Sequence, residues 1–340
     1  MNTLDKYTLF RDIMAYNSKQ CGFWHGNPTK DSQEKLYRYF GVENDFELGL
    51  KLGDTFFWVL DGWGIYKHPE NELPFELYNN RNIPHLKEFT DDDIDLVGKL
   101  NWPNAEYYDF TRFEEAKKLS KQHKIPIFSG SWAPFYHHVA YIFGMENYFI
   151  KMHTDPNLVI AVTERVVDFF LSMNEKLFNK YAPYISAAFF GNDFGTQLDL
   201  MISPEMFRRF IMPYQKKISD QAKTYGLYTF LHSCGSIVRV IPDIIDAGIN
   251  GLHPIQANAS GMHAENLAKK FKDKVVFLGG VDTQILLRKG TPKQIKEDVK
   301  RLKDLFGNNF ILSPSHEAIL PDVPPENIAA MAEAVWNTFA

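Results

Sequence analysis

The chain has 340 residues, of which 45% are hydrophobic, and a formal net charge of −5 at pH 7. This length and apolar content suit either one large α/β barrel or two ordinary domains. Lysine and arginine are scattered along an acidic chain, so the basic surface that nucleic-acid-binding proteins need is missing. We therefore expect no nucleic-acid partner.

The N-terminus and the cysteines bear on where the protein works. The first residues, Met1–Lys6, lack the apolar stretch of a signal peptide, and no window reaches the roughly 18–20 apolar residues of a membrane span. Two cysteines do not make a disulfide framework in a chain of this length. We expect a cytoplasmic protein without a membrane span, in which Cys234 is available as a thiolate and Cys21 is a small buried residue.

Residues 1–50 are predicted to form a helical N-terminal extension. Apolar residues recur at helical spacing over Tyr7–Met14 and again over Ser32–Phe40. We expect this extension to be a cap or an entrance element for the rest of a single domain.

Residues 51–340 alternate between short runs rich in β-branched and aromatic residues and longer helical stretches. This alternation is typical of parallel strands joined by crossover helices, and its length favours a closed (β/α)8 barrel of the TIM type over an open sheet. We count seven strands and expect the eighth to be short. The seven are Phe56–Leu60, Pro126–Ser131, Ile185–Gly191, Tyr228–Ser233, Ile249–Pro254, Val275–Gly280 and Phe310–Ser313.

Polar and ionisable residues follow almost every predicted strand. The carboxyl ends of the strands form the active site in such barrels, and so many ionisable groups at one mouth favour an enzyme over a binding module. We predict catalytic roles for Asp61, Asp193 and Glu317. The predicted substrate-binding residues are Trp132, Tyr136, His138, Asn192, Gln197, Gln256 and Asp282.

Two of these assignments have competing interpretations. Asp282 would serve equally well as the cap of the helix that follows it. The segment Gly191–Gly195 has neither the lysine of a P-loop nor a Gly-x-Gly-x-x-Gly fingerprint, so we reject phosphate binding there. Asp193 is then expected to accept a hydrogen bond, for example from an imidazole at the barrel mouth.

The most informative motif is the His-Ser-Cys sequence that begins at His232. Residues i and i+2 of a strand face the same side, so His232 and Cys234 can bind one metal ion. Imidazole and thiolate favour zinc, and catalytic zinc sites use three protein ligands and one open position. We predict His316 as the third ligand, with Glu317 or Asp193 as substitutes. The alternative is that these histidines only hydrogen-bond carboxylates in a polar core.

Several motifs together resemble the uroporphyrinogen decarboxylase superfamily. In chain order they are WPNAEYYDF from Trp102, GNDFGTQ from Gly191, HSCG from His232, GGVDTQ from Gly279 and PSHEAILPDVPPEN from Pro314. The resemblance extends over nearly the whole chain and implies a (β/α)8 barrel with one deep cleft. It also implies one of two chemistries: cofactor-free decarboxylation of uroporphyrinogen, or zinc-dependent methyl transfer between a corrinoid protein and a thiol or related acceptor.

The chain departs from the decarboxylase branch in two places. Asp61 lies where the decarboxylases carry their pyrrole-binding aspartate, but residues 19–28 lack the arginines that would hold the carboxylates of the tetrapyrrole. The catalytic tyrosine of the decarboxylases has no clear counterpart near His137-His138. We therefore place uroporphyrinogen decarboxylase second among the possible functions.

The methyltransferase branch is more similar at the metal site. It carries a His-x-Cys pair and a later cysteine; His232 and Cys234 match the pair, and His316 replaces the later cysteine. The resemblance implies a zinc-dependent methyltransferase that acts on a small thiol or methylated substrate. The chain has no Asp-x-His-x-x-Gly corrinoid signature, so the corrinoid, methylcobalamin, is expected on a separate partner protein. A barrel that binds a tetrapyrrole or corrinoid without chemistry is the third possibility.

Overall fold

The computed structural model describes residues 5–71, 73–74, 86 and 89–336. The strands in these residues are β1 (Gly22–Phe23), β2 (Asn27–Pro28), β3 (Phe57–Leu60), β4 (Ile65–Tyr66), β5 (Tyr108–Asp109), β6 (Ile127–Gly130), β7 (Ile185–Gly191), β8 (Tyr228–His232), β9 (Gly251–Ile255), β10 (Val276–Val281), β11 (Ile311–Pro314) and β12 (Ala318–Ile319).

Eight of these strands form one parallel sheet that closes into a barrel. Their order is β1-β11-β10-β9-β8-β7-β6-β3, and every pair in it is parallel. The two ends of the sheet meet where the backbone N–H of Thr55 donates to the carbonyl of Phe23 at 2.8 Å. The predicted (β/α)8 barrel is therefore confirmed.

The helices lie between the strands, as expected for βα units. They are α1 (Lys6–Met14), α2 (Lys30–Phe40), α3 (Asp45–Leu52), α4 (Ile94–Val97), α5 (Phe113–His123), α6 (Tyr136–Phe143), α7 (Met145–Thr154), α8 (Pro156–Tyr181), α9 (Pro204–Phe210), α10 (Met212–Thr224), α11 (Ile241–Asp246), α12 (Ala264–Phe271), α13 (Leu286–Lys289), α14 (Pro292–Phe306) and α15 (Pro325–Trp336). No helix in the described part of the chain is long and apolar enough to cross a membrane.

Local sequence signals set several helix starts. Proline lies in the first turn of α9 and of α14, where a missing backbone N–H costs nothing. The side chain of Ser203 caps α9, and Thr291 forms a capping box with Gln294 at the start of α14. These helices could therefore be placed from residues within a few positions of each end.

The seven predicted strands are confirmed, and the eighth barrel strand is β1. Because β1 lies inside the first 50 residues, the predicted boundary between a helical extension and the barrel at residue 50 is wrong. Two residues are too few to show the alternation that identifies a strand in sequence. The two predicted helical runs are confirmed, since α1 and α2 cover them.

The barrel interior is packed with aromatic side chains, and α1 closes its amino end. Phe56 and Phe128 stack with ring centroids 3.8 Å apart. Phe10 of α1 lies 5.0 Å from Phe128 and 5.7 Å from Tyr228, the first residue of β8. Since α1 covers the end opposite the strand carboxyl termini, it acts as a cap and not as an entrance element.

Candidate metal centre

Ionisable side chains from four strand ends meet at the carboxyl face of the barrel. His232 is the last residue of β8, and Cys234 follows it in the next loop. Asp193 follows β7, His253 lies within β9, and the pair His316 and Glu317 follows β11. The eight barrel strands are all parallel, so their carboxyl ends open onto one face, and residues distant in sequence become neighbours there.

One group of three donors consists of the Nε2 atom of His232 and two donors that lie beside it. The Sγ atom of Cys234 lies 3.4 Å from this nitrogen, and Oδ1 of Asp193 lies 3.2 Å from it. The three ligand atoms all lie within 4.8 Å of one another. Donors in a tetrahedral zinc site are about 3.3–3.8 Å apart, as follows from bond lengths of about 2.0–2.3 Å, and the two separations from Nε2 of His232 are close to this range.

Two glycines allow the loops that carry these donors to touch. Gly235 has a φ of +83°, and a Cβ atom on it would lie 2.3 Å from the carbonyl of Gly195. No side chain fits at that distance, and the left-handed backbone also favours glycine. The close contact brings the backbone N–H of Cys234 to Oδ1 of Asp193, to which it donates at 2.8 Å.

A second group of donors surrounds the Nδ1 atom of His232. Nδ1 of His253 lies 2.8 Å from it, and Oε2 of Glu317 lies 3.4 Å from it. The ligand atoms of these three residues also lie within 4.8 Å of one another. Both ring nitrogens of His232 are therefore engaged, one by each group.

His316 contacts Cys234 but uses one ring nitrogen locally. Its Nδ1 accepts a hydrogen bond from the backbone N–H of Ala318 at 3.1 Å. Its side chain also hydrogen-bonds Cys234, which raises the pKa of His316 and helps to lower that of the thiol. The described geometry thus places His316 beside the thiol, with the Asp193 carboxylate closing the group around Nε2 of His232.

Charge interactions reverse the effect of burial on all three donors. Burial alone would lower the pKa of His232, but the charge of Glu317 and the hydrogen bond with Asp193 raise it well above that of free imidazole. Burial would raise the pKa of Cys234 and of Asp193, and in both cases the interaction with His232 lowers it instead. Without a metal, the arrangement therefore favours a protonated His232 beside a thiolate and a carboxylate, and a metal bound at Nε2 would have to displace the proton on that nitrogen.

Asp61 and Trp132 form the wall of the site next to β3 and β6. The ring of Trp132 lies 5.0 Å from that of His232, and its backbone N–H donates to Oδ1 of Asp61 at 2.6 Å. Burial raises the pKa of Asp61 to about 6, and this hydrogen bond only partly offsets the rise. The half-buried carboxyl of Asp61 is thus linked to His232 through a single residue, Trp132.

Three other predicted substrate-binding residues are tied into the loops of the mouth. The buried Asn192 accepts from the backbone N–H of Tyr136 at 3.2 Å, and its amide nitrogen has no hydrogen-bond partner among the described residues. Gln256 accepts from the backbone N–H of Gly235 through its Oε1 atom. These contacts hold the loops around Cys234 in place.

The remaining predicted residues are engaged elsewhere. The ring of His138 packs against Phe170 of α8, 4.9 Å away, and Gln197 is exposed. The carboxylate of Asp282 accepts from the backbone N–H groups of Gln284, Ile285 and Leu286. Asp282 therefore accepts from the backbone of the turn that leads into α13, whose N-cap residue is Ile285.

His253 belongs to the centre, although it was not among the predicted ligands or substrate contacts. Its position in the fifth counted strand was visible in the sequence, and β8 pairs with β9 so that His232 lies opposite His253. The alternation of side chains along two adjacent strands then puts both rings on the same face. That pairing could have been inferred only after the strand order was known.

Comparisons with known proteins identify the family. The family model "Uroporphyrinogen decarboxylase (URO-D)" matches residues 74–338. A methylcobamide:CoM methyltransferase, MtbA of Methanosarcina mazei, is 23% identical over 294 residues, which are 86% of this chain and 75% of that protein. The corresponding protein of Methanosarcina acetivorans is 28% identical over 137 residues, 40% of this chain, and the match spans only 38% of that relative.

Two further matches differ in how much of the chain they cover. The uroporphyrinogen decarboxylase of Rickettsia akari is 38% identical over 69 residues, 20% of this chain and 19% of that protein. A solved methyltransferase from Methanosarcina mazei superposes with a TM-score of 0.66 at 17% identity, covering 98% of this chain and 99% of the other, which shows a shared fold. Because the family model covers more than half of the sequence, the chain belongs to the uroporphyrinogen decarboxylase family.

Proposed function

We propose that the chain is a methyltransferase that moves a methyl group between a corrinoid and a small thiol or methylated substrate at a zinc centre. The observation that carries the proposal is the convergence of Cys234 and Asp193 on Nε2 of His232, at separations of 3.4 Å and 3.2 Å that are close to those between the donors of a tetrahedral zinc ion. The similarity to the two Methanosarcina relatives named as methylcobamide:CoM methyltransferases supports it.

In this proposal the third protein ligand is Asp193, the substitute considered for His316. The carboxylate of Asp193 already lies 3.2 Å from Nε2 of His232. His316 instead accepts a backbone N–H on Nδ1, so a neutral His316 carries its proton on Nε2. That proton is available for a hydrogen bond to the thiolate of Cys234, which lowers the pKa of the thiol.

Zinc, when bound, would supply a Lewis acid that lowers the pKa of a thiol at its open position. The chain's own residues prepare the site for this role. His232 and His316 favour the thiolate of Cys234, and the ring of Trp132 packs against that of His232 at a tilt of 57°. Trp132, Asn192 and Gln256 are proposed to contact the substrate, because they surround the donors from three different loops.

The corrinoid is proposed to arrive on a separate protein. The chain contains no Asp-x-His-x-x-Gly signature, since Phe230 occupies the position where the aspartate before His232 would be needed. The proposed partner therefore presents a methylcorrinoid to the carboxyl face of the barrel, where the metal donors lie.

The test combines metal analysis with a methyl-transfer assay. Protein purified without chelator should contain about one zinc per chain, and it should transfer methyl from free methylcobalamin to coenzyme M or another small thiol. Cys234→Ser should lose both the metal and the activity. Cys21→Ser is the matched control, because Cys21 is the other cysteine, is buried directly before β1 and belongs to neither donor group. A metal-free wild-type protein, or equal activity in Cys234→Ser, would contradict the proposal.

Uroporphyrinogen decarboxylation is the second candidate, because of Asp61. This carboxyl is half-buried with a raised pKa, at the position where the decarboxylases bind their pyrroles, and the Rickettsia enzyme is 38% identical over 69 residues. The region that would carry arginines instead holds His25, paired with Asp54. Turnover of uroporphyrinogen by metal-free protein would favour this candidate over methyl transfer.

A further inference from the structure

His253 contacts the metal-binding histidine through the nitrogen that does not face the donors. In the paired strands β8 and β9, His232 lies opposite His253, and the two Nδ1 atoms are 2.8 Å apart. At this distance one ring donates a hydrogen bond to the other. His232 is 4% exposed and His253 is 1% exposed, so water does not compete for the bond.

The direction of this hydrogen bond follows from the metal centre. A neutral histidine that binds a metal through Nε2 carries its proton on Nδ1, and a neighbour usually accepts that proton. His253 is therefore the acceptor, and its own proton lies on Nε2, which has no hydrogen-bond partner among the described residues. Oε2 of Glu317 lies 3.4 Å from Nδ1 of His232, and its negative charge favours a proton on that nitrogen.

Aromatic neighbours prevent His253 from turning away. The ring of Trp24 lies 5.4 Å from it and the ring of Phe189 lies 5.6 Å from it. Trp132 packs against the ring of His232 in the same way, at 5.0 Å. Both imidazoles are thus held by packing as well as by their mutual hydrogen bond.

We infer that His253 is a positioning residue of the metal centre: by accepting the Nδ1 proton of His232, it directs Nε2 of His232 toward Cys234 and Asp193. The inference rests on the proposed metal centre and adds a residue that does not bind the metal itself. It predicts that metal affinity and geometry depend on an acceptor at the position of the Nδ1 atom of His253.

The experiment uses cobalt, whose visible absorption reports its ligands, in three variants of the full chain. His253→Asn places an oxygen near the position of Nδ1, His253→Gln places it near the position of Nε2, and His253→Leu has no acceptor. His253→Leu and His253→Gln should bind Co2+ about 10–100-fold more weakly, the range typical of residues that support metal ligands, with a shifted spectrum. His253→Asn should stay closer to the wild type in both respects.

The control is His25→Asn, a change at a buried histidine that is paired with Asp54. It should lower stability and leave the cobalt spectrum unchanged, which separates positioning from a general loss of structure. If His253→Leu does not fold, the contrast between His253→Asn and His253→Gln carries the test.

Three outcomes would overturn the inference. Wild-type affinity and spectrum in both His253→Leu and His253→Gln would show that no acceptor is needed. Two cobalt ions per wild-type chain, the second lost in His253→Leu, would make His253 a ligand of its own. A wild type that binds no cobalt would overturn the metal centre itself, and this result is distinguishable because it appears before any variant is made.

Discussion

Two histidine–aspartate pairs in the described part of the barrel invite comparison: a buried pair at the junction of β1 and β3, and a pair at the carboxyl end of β8 whose aspartate is partly exposed. In the first, Asp54 accepts from Nδ1 of His25 at 2.7 Å and from the backbone N–H of the same residue at 3.0 Å. In the second, Oδ1 of Asp193 lies 3.2 Å from Nε2 of His232. The same two residue types therefore occupy very different surroundings.

The surroundings of each pair indicate what it does. Both carboxylate oxygens of Asp54 accept hydrogen bonds from His25. The adjacent backbone hydrogen bond from Thr55 to Phe23 closes the barrel. The Asp193 carboxylate and the Cys234 thiol instead both lie beside His232, and His253 and Glu317 lie on the other side of the same ring. We conclude that the first pair joins strands and that the second can bind a ligand.

The two regions also differ in the space beside them. A cavity of about 730 Å³ lies beside the junction of β1 and β3, and its lining includes Trp24, His25, Phe46, Phe57 and Trp63. None of the predicted site residues lines it. The cavity and the convergence of candidate metal donors therefore lie in different parts of the barrel.

The largest expected effect is on stability, in Asp54→Ala. Leaving His25 buried without its partner should lower the free energy of unfolding by about 3–5 kcal/mol, as measured by urea denaturation. The zinc content of the folded protein should stay the same. Burial lowers the pKa of His25, but Asp54 raises it above the free value, so the ionic share of this loss is complete below pH 6.5 and declines as the pH rises through the folded-state pKa. Loss of zinc from the folded variant would contradict the comparison.

Asp193→Ala removes the aspartate of the other pair, and it should lower the affinity for zinc and not the stability of the fold. Removing one of three donors should weaken zinc binding by more than about 100-fold, the upper end of the range for residues that only support ligands. The unfolding free energy of the metal-free protein should change little, since the carboxylate is partly exposed. Competition with a chromophoric chelator measures the affinity, and an unchanged affinity would exclude Asp193 as a ligand.

Asp61 is a third carboxyl, and its shifted pKa has burial and the backbone N–H of Trp132 as its causes. Its removal should raise the free energy of unfolding, whereas Asp54→Ala should lower it. Its pKa of about 6 in the folded protein means that ionisation is disfavoured there. Asp61→Asn should therefore stabilise the protein by up to about 3 kcal/mol above pH 6, at 1.36 kcal/mol per pKa unit. The difference should vanish as the pH falls below the unfolded value of 3.8. A stabilisation that does not depend on pH would show that the cause is not the charge.

The smallest expected effect is that of Glu317→Gln. This change keeps the size of the side chain and removes the negative charge beside Nδ1 of His232. Zinc affinity should fall by about tenfold, near the lower limit for groups that orient a metal-binding histidine. An effect as large as that of Asp193→Ala would mean that Glu317 binds the metal directly.

Much of the barrel could be predicted because its signals are local. Seven strands have runs long enough to show strand character, and prolines and capping residues mark helix starts such as those of α9 and α14. The first strand could not be found in this way, since Gly22–Phe23 is held by its pairing with β11 and by Thr55. Its identity comes from distant partners and not from its own pattern.

The candidate site likewise has one part that local sequence determines and another that depends on distant contacts. The sequence by itself determined that His232 and Cys234 share one face at a strand end, because the repeat of two residues in a strand requires it. Only the tertiary structure decided that Asp193, 41 residues before Cys234, joins them, and that His253 holds the other side of His232. These contacts depend on strand order, on register and on the close approach of Gly195 and Gly235, which no periodicity within a single strand encodes.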